Sequence, residues 1–446
     1  MSALSRHDYD VAVVGFGPTG AALAMALGLQ GLRVVVYERS TAPYSQPRAC
    51  HLDAEIARIL ARYGFADHLH DVLTVSAGME YVDAGGRRLF TFEGFERAPL
   101  LGWHEDYVFI QPELEAMLRA GIAGLPCVDV RSPVEAPPLD ALLAESAYVV
   151  GCDGATSAVR QALGIGLADL DYDEPWLVVD LTLRSEPDPP LPGIIQQVCD
   201  PRRLATFVPS HGAHRRWEFL LADGEQPDPW ELVAPWGVDP GNSDLVRAVP
   251  YRFHALIADR WRAGPDGRVF IAGDAAHMMP PFMGQGMCSG IRDADNLAWR
   301  LGEVLRGESM PDALDSYELE RASHVRDVIA LSIEAGRTLA RLAADPSDLP
   351  VPSAPDPLRW SRLPGLDLGE GFPVGHQVPQ PDRLDGRLAP WTWVAADEDF
   401  VAPDGRPVVV EPRATYGMRA VLVRPDRYIA ATVSADAARS AVPSGH

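Results

Sequence analysis

Gly267-Arg268-Val269-Phe270-Ile271-Ala272-Gly273-Asp274-Ala275-Ala276-His277, continuing through Pro280-Pro281-Phe282-Met283-Gly284-Gln285-Gly286-Met287, is the stretch on which the fold turns. Apolar residues lead into Gly273-Asp274, a proline-rich bend follows, and Gly284-Gln285-Gly286 opens a helix. A strand that ends in a carboxylate can hold a polyol chain. A glycine-rich helix start can lay bare N–H groups against a carbonyl or an anion. Far upstream, Gly15-Phe16-Gly17-Pro18-Thr19-Gly20 follows a second apolar run and opens another helix. There the first glycine permits a tight turn, the second lets backbone approach a pyrophosphate, and the third permits close helix–strand packing. Glu38-Arg39 closes the next valine-rich run, where a carboxylate binds ribose hydroxyls and disfavours a 2′-phosphate. Two nucleotide-type sites so far apart in sequence point to one long cofactor held at both ends. FAD fits that description.

The chain has 446 residues, 62 acidic against 39 basic side chains, and a formal net charge of -23. A balance this acidic argues against nucleic acid or an anionic membrane as a partner. No apolar run is long enough to span a bilayer. The opening Met1-Ser2-Ala3-Leu4-Ser5-Arg6 lacks the apolar core of a secretion signal, so a cytoplasmic location is expected. Five scattered cysteines without a Cys-x-x-Cys predict reduced thiols and no metal site. The chain contains no lysine, which rules out Schiff-base chemistry through a lysine amine.

Residues 10–14, 18–29 and 32–38 read as strand, helix and strand, a βαβ unit. Residues 53–63 read as a short amphipathic helix closed by Gly64. Alternating strands fill 78–110 with a turn at Gly85-Gly86, 112–122 is helical, and 147–150 is a buried strand. From 176 to 254, β-type segments at 177–183, 204–208 and 217–221 are separated by proline-containing loops. After the strand at 269, helices are expected over 290–305 and 311–342. The predicted fold is therefore α/β. A discontinuous Rossmann-like FAD-binding domain of glutathione-reductase type takes residues 1–75, 111–175 and 255–345. An inserted, mostly β substrate-binding domain takes 76–110 and 176–254. A proline-rich linker (346–370) leads to a small α/β region at 371–446.

Three motifs together carry a resemblance: Gly15 to Gly20, Val150-Gly151-Cys152-Asp153-Gly154-Ala155-Thr156-Ser157-Ala158-Val159-Arg160, and Gly273-Asp274 through Gly286. The chain resembles the para-hydroxybenzoate hydroxylase class of single-component FAD monooxygenases. Within that class it is most similar to 3-(3-hydroxyphenyl)propionate hydroxylases. Pro47-Arg48-Ala49, Phe109-Ile110-Gln111-Pro112, Trp176-Leu177-Val178-Val179-Asp180 and Arg215-Arg216-Trp217-Glu218-Phe219 add to the likeness. The resemblance implies bound FAD, NADH or NADPH as transient co-substrate, and hydroxylation of a phenol ortho to its hydroxyl by O2 through a flavin hydroperoxide. It implies cofactor roles for Arg48, Gln111 and Asp153, beside Gly15, Gly17, Pro18, Thr19, Gly20, Glu38, Arg39, Gly273, Asp274, Pro281, Gly284, Gln285, Gly286 and Met287. It also makes 371–446 a shortened thioredoxin-like region and leaves room for a homodimer. Between 130 and 148 the chain is short and proline-rich where the family carries extra strands.

A phenol reacts best as its phenolate, so the protein must hold the ring, exclude water and lower the effective phenol pKa. His51-Leu52-Asp53 follows the Arg48 motif, where an imidazole can relay a proton with Asp53 orienting it. Asp53 can equally serve as a helix N-cap. Tyr251 and His254 end the β domain and can reach a substrate, and Pro281 stiffens the loop beside the flavin ring. Arg202, Arg203, Arg215 and Arg216 can hold a substrate carboxylate or form a solvated face. His277 reads as structural. The expected substrate is 3-(3-hydroxyphenyl)propionate or a larger secondary-metabolite phenol. The alternatives are an FAD-dependent reductase or halogenase, or a flavin-binding protein without turnover. Trp391-Thr392-Trp393-Val394 resembles a halogenase signature, yet it lies late, lacks the Ile-Pro that follows there, and the chain has no lysine.

Overall fold

The computed structural model describes residues 7–43, 46–92, 100–349 and 375–434. Strand Tyr9–Val14 pairs in parallel with Val34–Tyr37 on one side and Ser146–Gly151 on the other. Its valine and alanine run without alternation because both faces of this sheet are covered. The six-stranded sheet is ordered Arg262–Ala263, Val269–Ile271, Ser146–Gly151, Tyr9–Val14, Val34–Tyr37, Val128–Arg131. Only the Arg262–Ala263 edge strand is antiparallel. Helix Pro18–Leu29 is buried from Gly20 to Gly28 and packs against helix Gly286–Arg306. That helix starts four residues earlier than the sequence suggests. The last long helix runs Asp315–Ala344.

A second, eight-stranded sheet is ordered His277–Met278, Ser243–Ala258, Leu167–Leu183, His214–Leu220, Ala205–Val208, Ile195–Cys199, Met79–Asp83, Arg88–Phe92. Alternation splits its two faces. Leu177, Val179, Leu181, Phe207, Trp217 and Phe219 build a separate core on the outer face, covered by Val233, Trp230 and Trp236. Val178, Asp180, Thr206, Arg216 and Glu218 lie between them in sequence and point inward.

The strand pairing departs from the sequence-based partition in two places. The expected boundaries at 175/176 and 254/255 fall inside the paired strands Leu167–Leu183 and Ser243–Ala258. A register shift between Asp169 and Asp173 interrupts the pairing of the first of these, and both of its parts belong to the eight-stranded sheet. Strand Asp106–Phe109 joins neither large sheet. It pairs with His51–Asp53 and Leu73–Val75 in a three-stranded sheet of its own. A helix, Leu139–Glu145, also fills the proline-rich stretch. Seven residues behind a proline N-cap are too few to show a helical period.

Described residues of the C-terminal region form a mixed sheet ordered Val408–Val410, Thr392–Ala395, Ala420–Val423, Ile429–Val433. Trp391 and Trp393 belong to its packing, which places them far from the glycine loops. Apart from 346–349, the expected linker lies outside the described residues. No described helix is long and apolar enough to cross a membrane.

Candidate active site

A single cavity of about 1290 Å³ lies between the six-stranded sheet and the inner face of the eight-stranded one. At one end is the first glycine loop. Gly15 has φ of 99°, and a Cβ there would fall 2.4 Å from the Cys152 carbonyl oxygen. A Cβ on Gly20 would fall 2.1 Å from the Gly15 oxygen, so this glycine sets helix–loop packing and does not line the cavity. A Cβ on Gly17 would meet no protein atom within 4 Å and would only take up cavity space. Helix Pro18–Leu29 has no side-chain cap, and Pro18 and Thr19 line the cavity. Its first N–H groups therefore offer an anion site. Glu38 Oε2 accepts from Phe16 N at 2.9 Å and Oε1 from Ser40 N at 2.7 Å, which fixes the carboxylate beside the cavity next to Arg39. Asp153 accepts from Ser157 Oγ at 2.5 Å and Val159 N at 3.1 Å, and also lines it.

The other end is the Gly273–Met287 segment. Asp274 faces the cavity from the turn Gly273–Ala275, and enclosure by protein raises its carboxyl above the usual range. It caps no helix. Gly273 turns its backbone into the protein: its N–H donates to Asp293 Oδ2 at 3.0 Å, and a Cβ would fall 2.5 Å from Thr19 Oγ1. Pro281, Gly284, Gly286 and Met287 line the cavity. Gly284 has φ of 62°, and its Cβ position lies 2.5 Å from His51 Nδ1. Helix Gly286–Arg306 has no side-chain cap either, so a second bare N-terminus opens on the same cavity.

Gln285 departs from expectation. It is fully buried, donates to Asp53 Oδ2 at 3.0 Å and accepts from Arg292 Nη1 at 3.0 Å. Its amide braces the loop from behind and offers nothing to a cofactor. Gln111 does line the cavity, and its Oε1 accepts from Arg48 N at 3.1 Å and Ala49 N at 2.8 Å, which fixes the Arg48 loop. Arg48 itself lines the cavity.

Among the expected catalytic groups, His51 and Tyr251 face the cavity with Pro281. The expected His51–Asp53 pairing is replaced. Asp53 N-caps helix Ala54–Leu60 through Glu55 N and Ile56 N, and its other oxygen pairs with Arg292 at 2.6 Å. Asp106 takes its place, with Oδ1 2.5 Å from His51 Nε2. His51 and Asp53 lie two apart on one strand and start from the same face, but both Asp53 oxygens are already taken by the helix start, Arg292 and Gln285. Tyr251 stands on the inner sheet face with Val249 and Phe253, 56% exposed, and the surrounding protein together with the nearby Asp274 charge raises its phenol. His254 starts from the opposite face, pairs with Asp173 at 3.3 Å and only borders the cavity.

The four candidate arginines separate. Arg202 pairs with Asp200, Arg203 with Glu225, and Arg215 donates to the carbonyls of Gly212 and His214. Arg216 is buried, pairs with Asp180 at 2.8 Å, and donates to the carbonyls of Pro47 and Arg48 at 2.6 and 2.5 Å. It holds the Arg48 loop against the cavity. His277 is buried between Trp261, stacked at 5.3 Å, and Asp293 at 2.7 Å. Sequence reasoning missed Asp106, and it missed that Gln197, Thr206, Glu218 and Arg247 share the inner sheet face. Strand alternation carried a signal for Thr206, Glu218 and Arg247, each of which sits between apolar residues, but none for Gln197, which follows Gln196.

Two bare helix starts, a ribose-type carboxylate and an enclosed aspartate around one cavity define a site for a dinucleotide extended between two glycine loops, beside a β-sheet wall. The donor set and the side-chain-free surface at Gly17 fit FAD. Its pyrophosphate would meet the Pro18–Leu29 helix start, and its ring end the Gly284–Met287 backbone. The chain belongs to the FAD-binding-domain family, whose model matches residues 8–141 and 143–332, and is an FAD-dependent aromatic hydroxylase. It is 38% identical over 408 residues to a probable NADH-specific resorcinol 4-hydroxylase of Rhodococcus jostii strain RHA1, covering 83% of this chain and 75% of that one. It is 32% identical over 450 residues to 3-(3-hydroxy-phenyl)propionate/3-hydroxycinnamic acid hydroxylase 2 of Burkholderia vietnamiensis strain G4, covering 88% and 80%. In fold it matches aklavinone-11 hydroxylase, solved with FAD and aklavinone, at a TM-score of 0.77 and 24% identity over 97% of both chains.

Proposed function

We propose that the protein uses NADH or NADPH and O2 to hydroxylate a small meta-substituted phenol, such as resorcinol or 3-(3-hydroxyphenyl)propionate, next to its hydroxyl. The carrying observation is the continuity of the cavity. One space of about 1290 Å³ reaches from the dinucleotide loop to the polar inner sheet face. That exceeds the roughly 300–1,000 Å³ of a single small-ligand site and suits a cofactor with a second ligand. Bound FAD would supply hydride acceptance and dioxygen activation. The chain's own task is to hold the phenol, keep water out and take its proton.

His51 suits the last step. Nε2–H is held by Asp106 Oδ1, and Nδ1 lies 3.4 Å from the Gly284 carbonyl oxygen, which only accepts; the neutral ring turns Nδ1 from that carbonyl to take up the phenol proton, and as imidazolium it is held by both Asp106 and the carbonyl. Tyr251 and Pro281 shape the ring's place, and His254 is left to the rim. In this reading, segments 1–75, 111–175 and 255–345 serve the cofactor and 76–110 and 176–254 the substrate, across shared strands. The protein works in the cytoplasm, as a homodimer. Both relatives carry meta-substituted phenols in their names, and both are similar over most of this chain.

The test supplies FAD-loaded protein with NADH or NADPH under air, with resorcinol and 3-(3-hydroxyphenyl)propionate in turn. Nucleotide oxidation stimulated by the phenol, matched by a product with one added oxygen, is the expected outcome. Peroxide as the sole product with every phenol refutes the reading.

A further inference from the structure

The inner face of the eight-stranded sheet carries one carboxyl that no other group claims. Glu218 is only 6% exposed and lines the cavity. Among the described residues it has no hydrogen-bond or ion-pair partner. The cations beside it are committed elsewhere: Arg216 and Arg247 both pair with Asp180, at 2.8 and 2.9 Å. Two strands further on, Gln197 is 2% exposed and also lines the cavity. Its Oε1 accepts from Thr206 Oγ1 at 2.8 Å, while its Nε2 has no partner among the described residues. Gln197 pairs across to Thr206 and Thr206 to Glu218, so all three share one face within two strand spacings, about 10 Å.

We infer that Glu218 and Gln197 form the recognition site for a second, non-reacting oxygen function of the substrate, and that this function is an uncharged hydroxyl. The hydroxyl donates its hydrogen to the Glu218 carboxyl, and Gln197 Nε2 donates to an oxygen of the same ligand. A hydroxyl both gives and accepts a hydrogen bond, as this wall requires. A carboxylate can only accept. It would bring a second negative charge against Glu218, with both neighbouring guanidinium groups already sharing Asp180. The favoured substrate class is therefore an uncharged dihydroxylated or polyhydroxylated arene, ahead of an arene with an acidic side chain. This inference rests on the phenol-hydroxylating reading above and narrows it.

The experiment titrates resorcinol, 3-methoxyphenol and 3-(3-hydroxyphenyl)propionate into the FAD-loaded protein and its Glu218→Gln variant, reading binding from the flavin absorbance. 3-Methoxyphenol keeps the reacting hydroxyl and the second oxygen but carries a methyl in place of the hydrogen offered to Glu218. Wild type should bind resorcinol about tenfold or more tighter than 3-methoxyphenol, the worth of one hydrogen bond to a buried carboxylate. It should also prefer resorcinol to the propionate, and the resorcinol–methoxyphenol gap should narrow in Glu218→Gln. If that variant fails to take up FAD, Glu218→Met replaces it, with the same narrowing expected. Equal binding of the two phenols by wild type, a gap that survives in the variant, or tighter binding of the propionate overturns the inference. Turnover is measured separately. Selective binding with no hydroxylation of any phenol sinks the proposed reaction and leaves this site standing. Coupled turnover without the gap sinks only this site. Binding of no phenol sinks both.

Discussion

At His51 two opposed effects set proton affinity. Burial by itself lowers an imidazole's pKa, but the Asp106 hydrogen bond and charge, with that of Asp53, outweigh it, and the net shift is upward. The neutral imidazole that accepts a phenol proton exists only above that raised value, so the rate should fall as pH drops through it. Asp106→Asn removes the raising partner and leaves burial. The acid limb of the kcat/KM profile should move to lower pH, with kcat reduced by about 10²-fold. A limb that stays in place would assign the proton to another group. The stability effect has the opposite sign: protonated His51 stabilises the fold fully below its unfolded value of about 6.5, and this is lost as pH rises through the raised one. Glu38 is the simpler case. Glu38→Ala removes the carboxylate held by Phe16 N and Ser40 N, and gel-filtered protein should lose flavin about tenfold more readily. Undiminished yellow colour would contradict the ribose assignment. Glu38 was legible because the glycine loop fixes where the next strand must end. Asp106 was not, because its pairing with His51 spans 55 residues and depends on two strands meeting in a small third sheet.

The inner sheet face shows what one strand pairing can carry. Asp180 is fully buried, and burial alone would raise its carboxyl. Arg216, with His214 and Arg247, brings it down to about 2. That stabilisation, about 2 kcal/mol from the size of the shift, is present above the unfolded carboxylate range and is lost as pH falls towards 2. Asp180→Asn leaves two buried guanidinium groups without their anion and should cost about 3 kcal/mol in urea unfolding. It should also loosen the Arg48 loop, because Arg216 would no longer be held in place for the carbonyls of Pro47 and Arg48. An unchanged unfolding midpoint would show that the pair contributes nothing net. The β-type segments at 177–183 and 217–221 were visible in sequence. That Asp180 lies opposite both Arg216 and Arg247 follows only from strand order.

Across the whole molecule, buried charges tie the C-terminal sheet to the cofactor loop. Arg424 pairs with Glu320 at 2.9 Å, and Arg58 with Asp385 at 2.6 Å. Tyr428 and Gln377 donate to Glu55 at 2.6 and 3.0 Å. Glu55 pairs with Arg292 at 2.7 Å, Arg292 with Asp53 at 2.6 Å, and Asp53 accepts from Gln285 inside the second glycine loop. Arg292→Met would strand two buried carboxylates and should destabilise the protein by about 3–5 kcal/mol. Flavin fluorescence during heating should then report release at a lower temperature than in wild type. A lower melting point with unchanged FAD affinity would confine the network to stability alone.

By itself the sequence determined the two glycine loops, the carboxylates that follow them, the valine-rich strands of a doubly covered sheet and the absence of lysine chemistry. These are local properties, since a turn, a cap or a strand period is set by neighbours within a few residues. Tertiary structure alone decided that His51 meets Asp106 instead of Asp53, that Gln285 turns inward, and that Glu218 looks into the cavity with no partner among the described residues. Those outcomes depend on which strands lie side by side, and strand order is set by the packing of whole layers, which no short segment encodes.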